Sequence, residues 1–598
     1  MVFVQWTVAA ALLQLASTVG AHGHDEGMAD MDNGVDNTAQ DQQEGDPYYL
    51  PSYAGLSAHS GLMMAHIGLM VLAWFFILPI GIMFSIARSR YTLPVQFLFL
   101  IVNGVGVVLA TIYNANTPDL YENNAHHTIG WIATWVMTAQ TVMSLLFLYS
   151  GRVKMTASSS DERVAYLPVS AENMDQYHVS SPYRDTRWSG DSGSPTGRSS
   201  TTLNSSRDIS PTDAHRLSKE AENEDVDDEE GLPMLIPTSM STRTEHSSSP
   251  SRFRIRAVHA FLSRKVPTFL SKKLLFTAQV GYEIVDRTIL ILGWIAIVTG
   301  GVTLAGWMRA DNVFGGLAHF IKGGIFFWYG LLTLGRFMGC FSDFSWAWNN
   351  AKPLNVDDWR ARIPSAEFTE SFVIWLYGAS NVFLEHLAGW GQEWVAQDLE
   401  HVSIAIMFFG GGLLGMLVES KTIRRWLNTP VDVIPMRKEM QADEADAVRQ
   451  EPRQYAHSMN PVPALVILLL GIMMSSHHQD SAVSTTVHGQ WGTLLAGFSV
   501  ARIVTYLFLY LAPPTSIWPA RPPSELVASF CLISGGLVFM ASTRDVIRWM
   551  EDRNLMAMFI FTVVMGFTAL LMAWQMLVLA LKGWAVRREA KLSGASVR

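Results

Sequence analysis

Cysteine is nearly absent: Cys340 and Cys531 are the only two in 598 residues. One falls near a helix end and the other inside an apolar block. A disulfide framework is therefore not indicated, and zinc or iron–sulfur centres built from four cysteines are excluded by count. Charge is sparse too, at 16% of residues, and the net charge of −9 comes largely from an N-terminal tail and the run 219–230. With no concentrated basic stripe, nucleic acid is not expected as a partner. What fills the chain instead is apolar: 49% of residues are hydrophobic, among them 30 Phe, 29 Met and 20 Trp. These residues are gathered into blocks, the composition of helices that face a lipid bilayer and end in aromatic belts.

About 20 apolar residues carry a helix across a bilayer. Eleven blocks qualify: 60–87, 93–113, 128–150, 288–308, 313–335, 370–389, 402–419, 461–476, 491–511, 526–542 and 555–581. The fold class expected is all-α, a polytopic transmembrane helix bundle of about eleven spans. Residues 1–21 read as a secretory signal peptide, with an apolar run from Val8 to Leu15 and small residues up to Ala21, although the n-region lacks Lys and Arg. Basic residues then recur at alternate helix ends: Arg88 and Arg90, Arg152 and Lys154, Arg336, Lys421 with Arg424 and Arg425, and finally Lys582, Arg587, Arg588 and Lys591. By the positive-inside rule the N-terminus is lumenal and the C-terminus cytosolic. The organisation expected is signal peptide 1–21, acidic lumenal tail 22–55, three-span block 56–150, polar cytosolic insert 151–272, eight-span block 273–585 and cytosolic tail 586–598. The insert, rich in Ser, Thr, Asp and Glu, is read as a solvated linker, with a phosphorylation-controlled or trafficking loop as the alternative. The implied setting is a membrane of the secretory pathway: endoplasmic reticulum, Golgi, vacuole or plasma membrane.

Of 17 histidines, ten sit in or beside the apolar blocks: His59, His66, His126, His127, His319, His386, His401, His477, His478 and His488. All ten fall at the end opposite the basic residues. Imidazole is the commonest metal ligand and titrates near neutrality, so a one-sided belt of it points to metal, haem or proton chemistry at that face. In the second block, Glu385-His386 and Glu400-His401 flank one helical hairpin, and His477-His478 and His488 flank the next. Such a set suits zinc, copper or iron. The alternative is that these residues are simply wetted helix ends. Lys322 and Arg502 lie inside spans, where an ionisable group marks a site by default. For Arg502 the sequence offers Glu385 as a partner. A mature chain starting at His22-Gly23-His24 would in addition offer Cu(II) a square-planar nitrogen set.

The first block reads His66-Ile67-Gly68-Leu69-Met70 through Ala73-Trp74, then Pro79-Ile80-Gly81 and Ala87-Arg88, and the third span opens His127-Thr128-Ile129-Gly130. This combination resembles the transmembrane ascorbate-linked cytochrome b family. The resemblance implies one b haem with His66 and His127 as its axial ligands. A bis-imidazole haem has no open position and favours electron transfer. The family's second haem has no counterpart here, because the second span lacks histidine and the helix after the insert offers Gly281-Tyr282-Glu283-Ile284-Val285-Asp286-Arg287 instead. Another metal, or two core histidines hydrogen-bonded across packed helices, are the competing readings of the same pair.

The order of parts, together with Gly335-Arg336-Phe337-Met338-Gly339-Cys340-Phe341, Glu385-His386, Glu400-His401 and Ser476-His477-His478, resembles the fungal Ytp family of integral membrane proteins. That resemblance covers all but the tail and the insert and brings no settled activity. Three functions stay open: a single-haem electron carrier or metalloreductase-like protein with its electron donor, a haem-free metal-ion binding or transport protein, and a membrane scaffold or trafficking protein. No enzymatic reaction is assigned.

Overall fold

The computed structural model describes residues 51–157, 272–310, 312–350, 363–384, 394, 396–432, 451–476, 479 and 481–592. Apart from the last turn of the third helix they belong to one compact unit formed from residues 1–152 and 268–598. Regular structure among the described residues is helical throughout.

Among the described residues thirteen helices follow in order. They are α1 (Ser60–Ile86), α2 (Thr92–Asn116), α3 (Ala125–Ala157), α4 (Lys272–Ala305), α5 (Asn312–Met338), α6 (Ala366–Leu384), α7 (Ala396–Glu419), α8 (Lys421–Asp432), α9 (Val462–Ser475), α10 (Ala482–Leu511), α11 (Pro523–Ala541), α12 (Arg544–Glu551) and α13 (Ala557–Leu592). Among the described residues nine are long and apolar enough to cross a membrane, namely α1 to α5, α7, α10, α11 and α13. The other two expected spans are α6, with 19 residues but two glutamates in its first turns, and α9, with only 14. The protein is a polytopic helical membrane bundle. Two short helices were not expected. In α8, Lys421, Arg424 and Arg425 share a helix with the exposed Trp426, Leu427 and Val431, the make-up of a segment lying along a membrane surface. In α12, Val546, Ile547 and Met550 are buried against the bundle.

The packing follows from lipid as solvent. Phe97, Ile101, Val105 and Val108 on α2 are exposed, which lipid tolerates and water would not. Cores form where small residues admit backbones. A Cβ added at Gly323 of α5 would lie 2.6 Å from the Gly536 carbonyl oxygen of α11, and one at Gly536 would lie 2.5 Å from that of Gly323. Gly378 and Gly412 bring α6 and α7 equally close. Such contacts replace the hydrophobic drive that a bilayer does not supply between helices.

Proline shapes α1. Pro79 has no N–H to donate to the Phe75 carbonyl one turn back, and the stretch Val71–Ile77 widens into π-helix. The Phe75 oxygen instead accepts from the Trp574 indole N–H of α13 at 3.2 Å. Val578 of α13 joins Trp74, Ile77, Leu78, Phe99, Met137 and Ile289 in one core, while Leu571 and Met572 join Phe327, Leu334 and Ile533 in another. The last helix thus stitches the first block to the second.

Polar ties mark the two ends of the bundle. At one, Arg309 donates to the Pro51 and Leu120 carbonyls, Tyr121 donates to the Trp307 and Met308 carbonyls, and Asp545 accepts from the Met308 N–H and from Asn312. Burial pushes the Tyr121 phenol up from its ordinary pKa, with Arg309 pulling it down and Asp545 raising it further. At the other end, Ser89 and the Arg90 N–H donate to Glu589, and Ser365 and Ser458 donate to Glu419. His59, His66, His126, His127, His319, His401 and His488 are described and lie toward the first end; His386, His477 and His478 are outside the described residues.

Candidate functional site

Five charged side chains form a layer inside the second block near its basic end. Arg336, on the last turn of α5, donates from Nη2 to Glu367 at 2.8 Å, from Nη1 to Glu370 at 2.7 Å and from Nε to the Trp346 carbonyl at 2.7 Å. Arg502 of α10 contacts the second oxygen of Glu370 at 3.3 Å and both oxygens of Glu525 on α11, at 2.8 and 3.1 Å. Both arginines are 1% exposed and Glu525 is 0% exposed. Trp348 covers them, its ring 4.3 Å from the Arg336 guanidinium and 5.8 Å from that of Arg502. Two guanidiniums thus face three carboxylates, which leaves one negative charge unbalanced within the layer when all are ionised. Glu370 is the shared member, held from both sides.

The layer explains two sequence features differently from expectation. Arg336, counted as a helix-end cation, is buried in a charge pair. Arg502 is paired with Glu370 and Glu525, and Glu385 lies outside the described residues. The signal for Glu370 was present as Glu367-x-x-Glu370, two carboxylates on one face at the start of an apolar helix.

Above this layer a partly open cleft of about 140 Å³ runs between α5, α6, α7, α9 and α11. Glu370, Thr369, Tyr329 and Trp346 line its deep end; Lys322, Asn381 and His401 line it toward the histidine end. Glu370 and Asn381 are eleven residues apart on α6, roughly 16 Å at 1.5 Å per residue. Between them the walls are apolar and aromatic, with Phe326, Tyr377, Phe408 and Phe539 prominent. The Tyr329 hydroxyl is buried there without a well-aligned partner. A pocket between bundle helices, mostly apolar and with a few convergent polar groups, has the make-up of a small-molecule site.

The first block holds a different polar cluster. Asp286 of α4 accepts from Ser85 of α1 and, at 2.7 Å, from Gln140 of α3, while the Tyr282 hydroxyl meets Ser85, Ser144 and Gln96. Asp286 and Tyr282 stand where the cytochrome resemblance called for a histidine. They fill that place with a hydrogen-bonded plug across four helices.

Of the expected axial pair, His66 bonds through Nδ1 to the Gly106 carbonyl at 2.9 Å, and its ring faces His126 with centroids 6.4 Å apart. His127 is exposed and its Nε2 accepts from Trp131 at 3.3 Å. The fold therefore sets His66 against His126, the neighbour of the residue the motif picked out. Of the expected metal set, Glu400 is exposed and His401 reaches the cleft. His488 is buried, bonds through Nδ1 to the Ser484 carbonyl at 2.9 Å and stands 6.2 Å from the His319 ring. Glu385, His386, His477 and His478 lie outside the described residues. Among the described residues no three His, Cys, Asp or Glu side chains are grouped to hold a metal ion.

Comparison with known proteins accounts for both blocks. Residues 292–583 match the family described as protein YTP1-like, C-terminal, and residues 51–150 match a domain of unknown function, DUF2427. An uncharacterized membrane protein of Schizosaccharomyces pombe is 34% identical over 535 residues, covering 88% of this chain and 94% of that protein. The chain belongs to the YTP1-like family. A second relative, an uncharacterized membrane protein of Saccharomyces cerevisiae, is 32% identical over 564 residues, covering 87% of this chain and 83% of its own length. The YTP1 protein of the same yeast is 25% identical over 256 residues, 43% of this chain and 44% of that one. No solved structure matches.

Proposed function

We propose that this YTP1-like protein is a membrane carrier for a small organic amine, bound in the cleft of the second block, in a membrane of the secretory pathway. The observation that carries the reading is the cleft's deep end. There Glu370, the carboxylate shared by two buried arginines, meets an aromatic wall of Trp346, Tyr329, Tyr377 and Phe326. Aromatic faces and a carboxylate together favour a cation with an apolar body, and the layer's excess negative charge favours the same sign. The volume is close to that of the ~150 Å³ cavity known to hold benzene, which sets the size of the solute. An ammonium group reaching Glu370 competes with Arg336 and Arg502 for it. That competition is a means of coupling solute binding to movement of α5, α6 and α10.

The test is thermal stabilisation of the detergent-purified protein by benzylamine, benzoate and benzyl alcohol, followed by uptake of the best ligand into proteoliposomes. Benzylamine is expected to stabilise, and Tyr377→Ala is expected to weaken the effect. A preference for benzoate would move the charge recognition to Lys322 and sink the amine. Failure of all three, in detergent and in liposomes, would sink the site.

A transition-metal site on the histidine face is the second reading, favoured by the close approach of the His319 and His488 rings. Elemental analysis of the same sample decides it. The haem carrier would require His66 and His127 on opposite faces of one macrocycle. A reducible Soret band lost in His66→Ala is its test.

A further inference from the structure

We propose that His66 and His126 bind one monovalent copper ion between them, at a site separate from the cleft. Each ring gives its Nδ1 to a main-chain oxygen: His66 to Gly106 of α2 at 2.9 Å, His126 to Ala296 of α4 at 3.1 Å. A carbonyl only accepts, so Nδ1 carries the proton in both neutral rings and Nε2 holds the lone pair. A metal-binding histidine is typically oriented this way, its other nitrogen fixed by a carbonyl.

The spacing suits a shared ion. A metal–imidazole bond of about 2.0 Å, with roughly 1.1 Å more from nitrogen to ring centre, puts two rings on opposite sides of one ion about 6.2 Å apart. The ring centres are 6.4 Å apart, with the planes at 72°. Room for the His126 ring depends on Gly300, where an added Cβ would lie 3.0 Å from Cε1 and 3.5 Å from Nε2. Neither histidine is fully buried within the protein.

The chemistry selects the metal. Two neutral imidazoles leave a divalent ion with both its charges uncompensated in an apolar setting, and zinc or iron demands more ligands. A d¹⁰ monovalent copper ion accepts two nitrogen ligands in line and carries a single charge. Met70, one turn beyond His66, lies against the same Gly106, where its thioether is the neighbouring soft donor suited to copper(I).

The experiment is anaerobic titration of detergent-purified full-length protein with Cu(I) in competition with bicinchoninate. The wild type is expected to hold one equivalent that His66→Ala and His126→Ala lose and His127→Ala keeps. Equal copper content in wild type and His66→Ala, or its loss in His127→Ala, would overturn the assignment. Copper K-edge absorption of the wild type with one equivalent bound is independent of whether the variants fold. A low-coordinate, nitrogen-ligated Cu(I) spectrum supports the site, and a four-coordinate one refutes it. A Soret band in freshly purified protein that vanishes in His126→Ala would give the pair to haem iron and likewise refute it.

Discussion

Phe75 shows how a single residue's hydrogen bond ties distant parts of the chain together. Its carbonyl loses its helical donor because Pro79 has no N–H, and in a bilayer no water replaces it. The Trp574 indole donates instead, from a helix 499 residues further along the chain. Trp574→Phe keeps the ring and deletes the donor, so the oxygen is left unsatisfied at a cost of about 1–3 kcal/mol. A lowered melting midpoint in mild detergent is the expected outcome. Pro79→Ala restores a local donor, and in the Trp574→Phe background it should recover most of the loss. If the double variant is no more stable than Trp574→Phe alone, the carbonyl is not what the indole serves.

At the scale of helices, the charge layer fixes how α5, α6, α10 and α11 meet. Arg336→Met leaves Glu367, Glu370 and Glu525 with only Arg502 to oppose them, and breaking one side of a buried pair costs about 3–5 kcal/mol. Adding Glu367→Gln returns the layer to its original excess of one negative charge and is expected to restore part of the midpoint in the same assay; a purely additive loss would show that Arg336 acts through packing on Trp348. These helices illustrate what a sequence does and does not disclose. Apolar blocks of fixed length located a helix at each of the eleven expected places, nine of them, among the described residues, long and apolar enough to cross a membrane, because crossing a bilayer is a one-dimensional constraint. Pairing is not. Arg502 and Glu370 are 132 positions apart, and only the mutual rotation of α6 and α10 makes them partners. His126 and His127 differ by about 100° around α3, at 3.6 residues per turn. His127 therefore shares a turn of helix with His126 but faces away from the side that meets His66. The cleft left only its polar rim in the sequence, as Lys322 and His401, since its walls are ordinary bundle side chains.

For the whole molecule the open physical question is which face of the membrane each end of the bundle meets. α13 has 36 residues, about 54 Å at 1.5 Å per residue, against a hydrocarbon core of about 30 Å. The excess is at its C-terminal end, where Lys582, Arg587, Arg588 and Lys591 lie and where Glu589 ties the helix to Ser89 and Arg90. Moving that cluster across a bilayer is far costlier than moving the turn before the helix, where Arg553 is accompanied by Glu551 and Asp552. We expect this charge asymmetry to orient the bundle with the histidine end lumenal. In a background without Cys340 and Cys531, Asn554→Cys and Lys591→Cys sit at opposite ends of α13. In sealed microsomes, a membrane-impermeant maleimide is expected to label Lys591→Cys directly and Asn554→Cys only after the membrane is opened. The reverse order would put the histidine belt, the mouth of the cleft and the His66–His126 pair in the cytosol. Labelling of both without opening would mean that α13 does not cross.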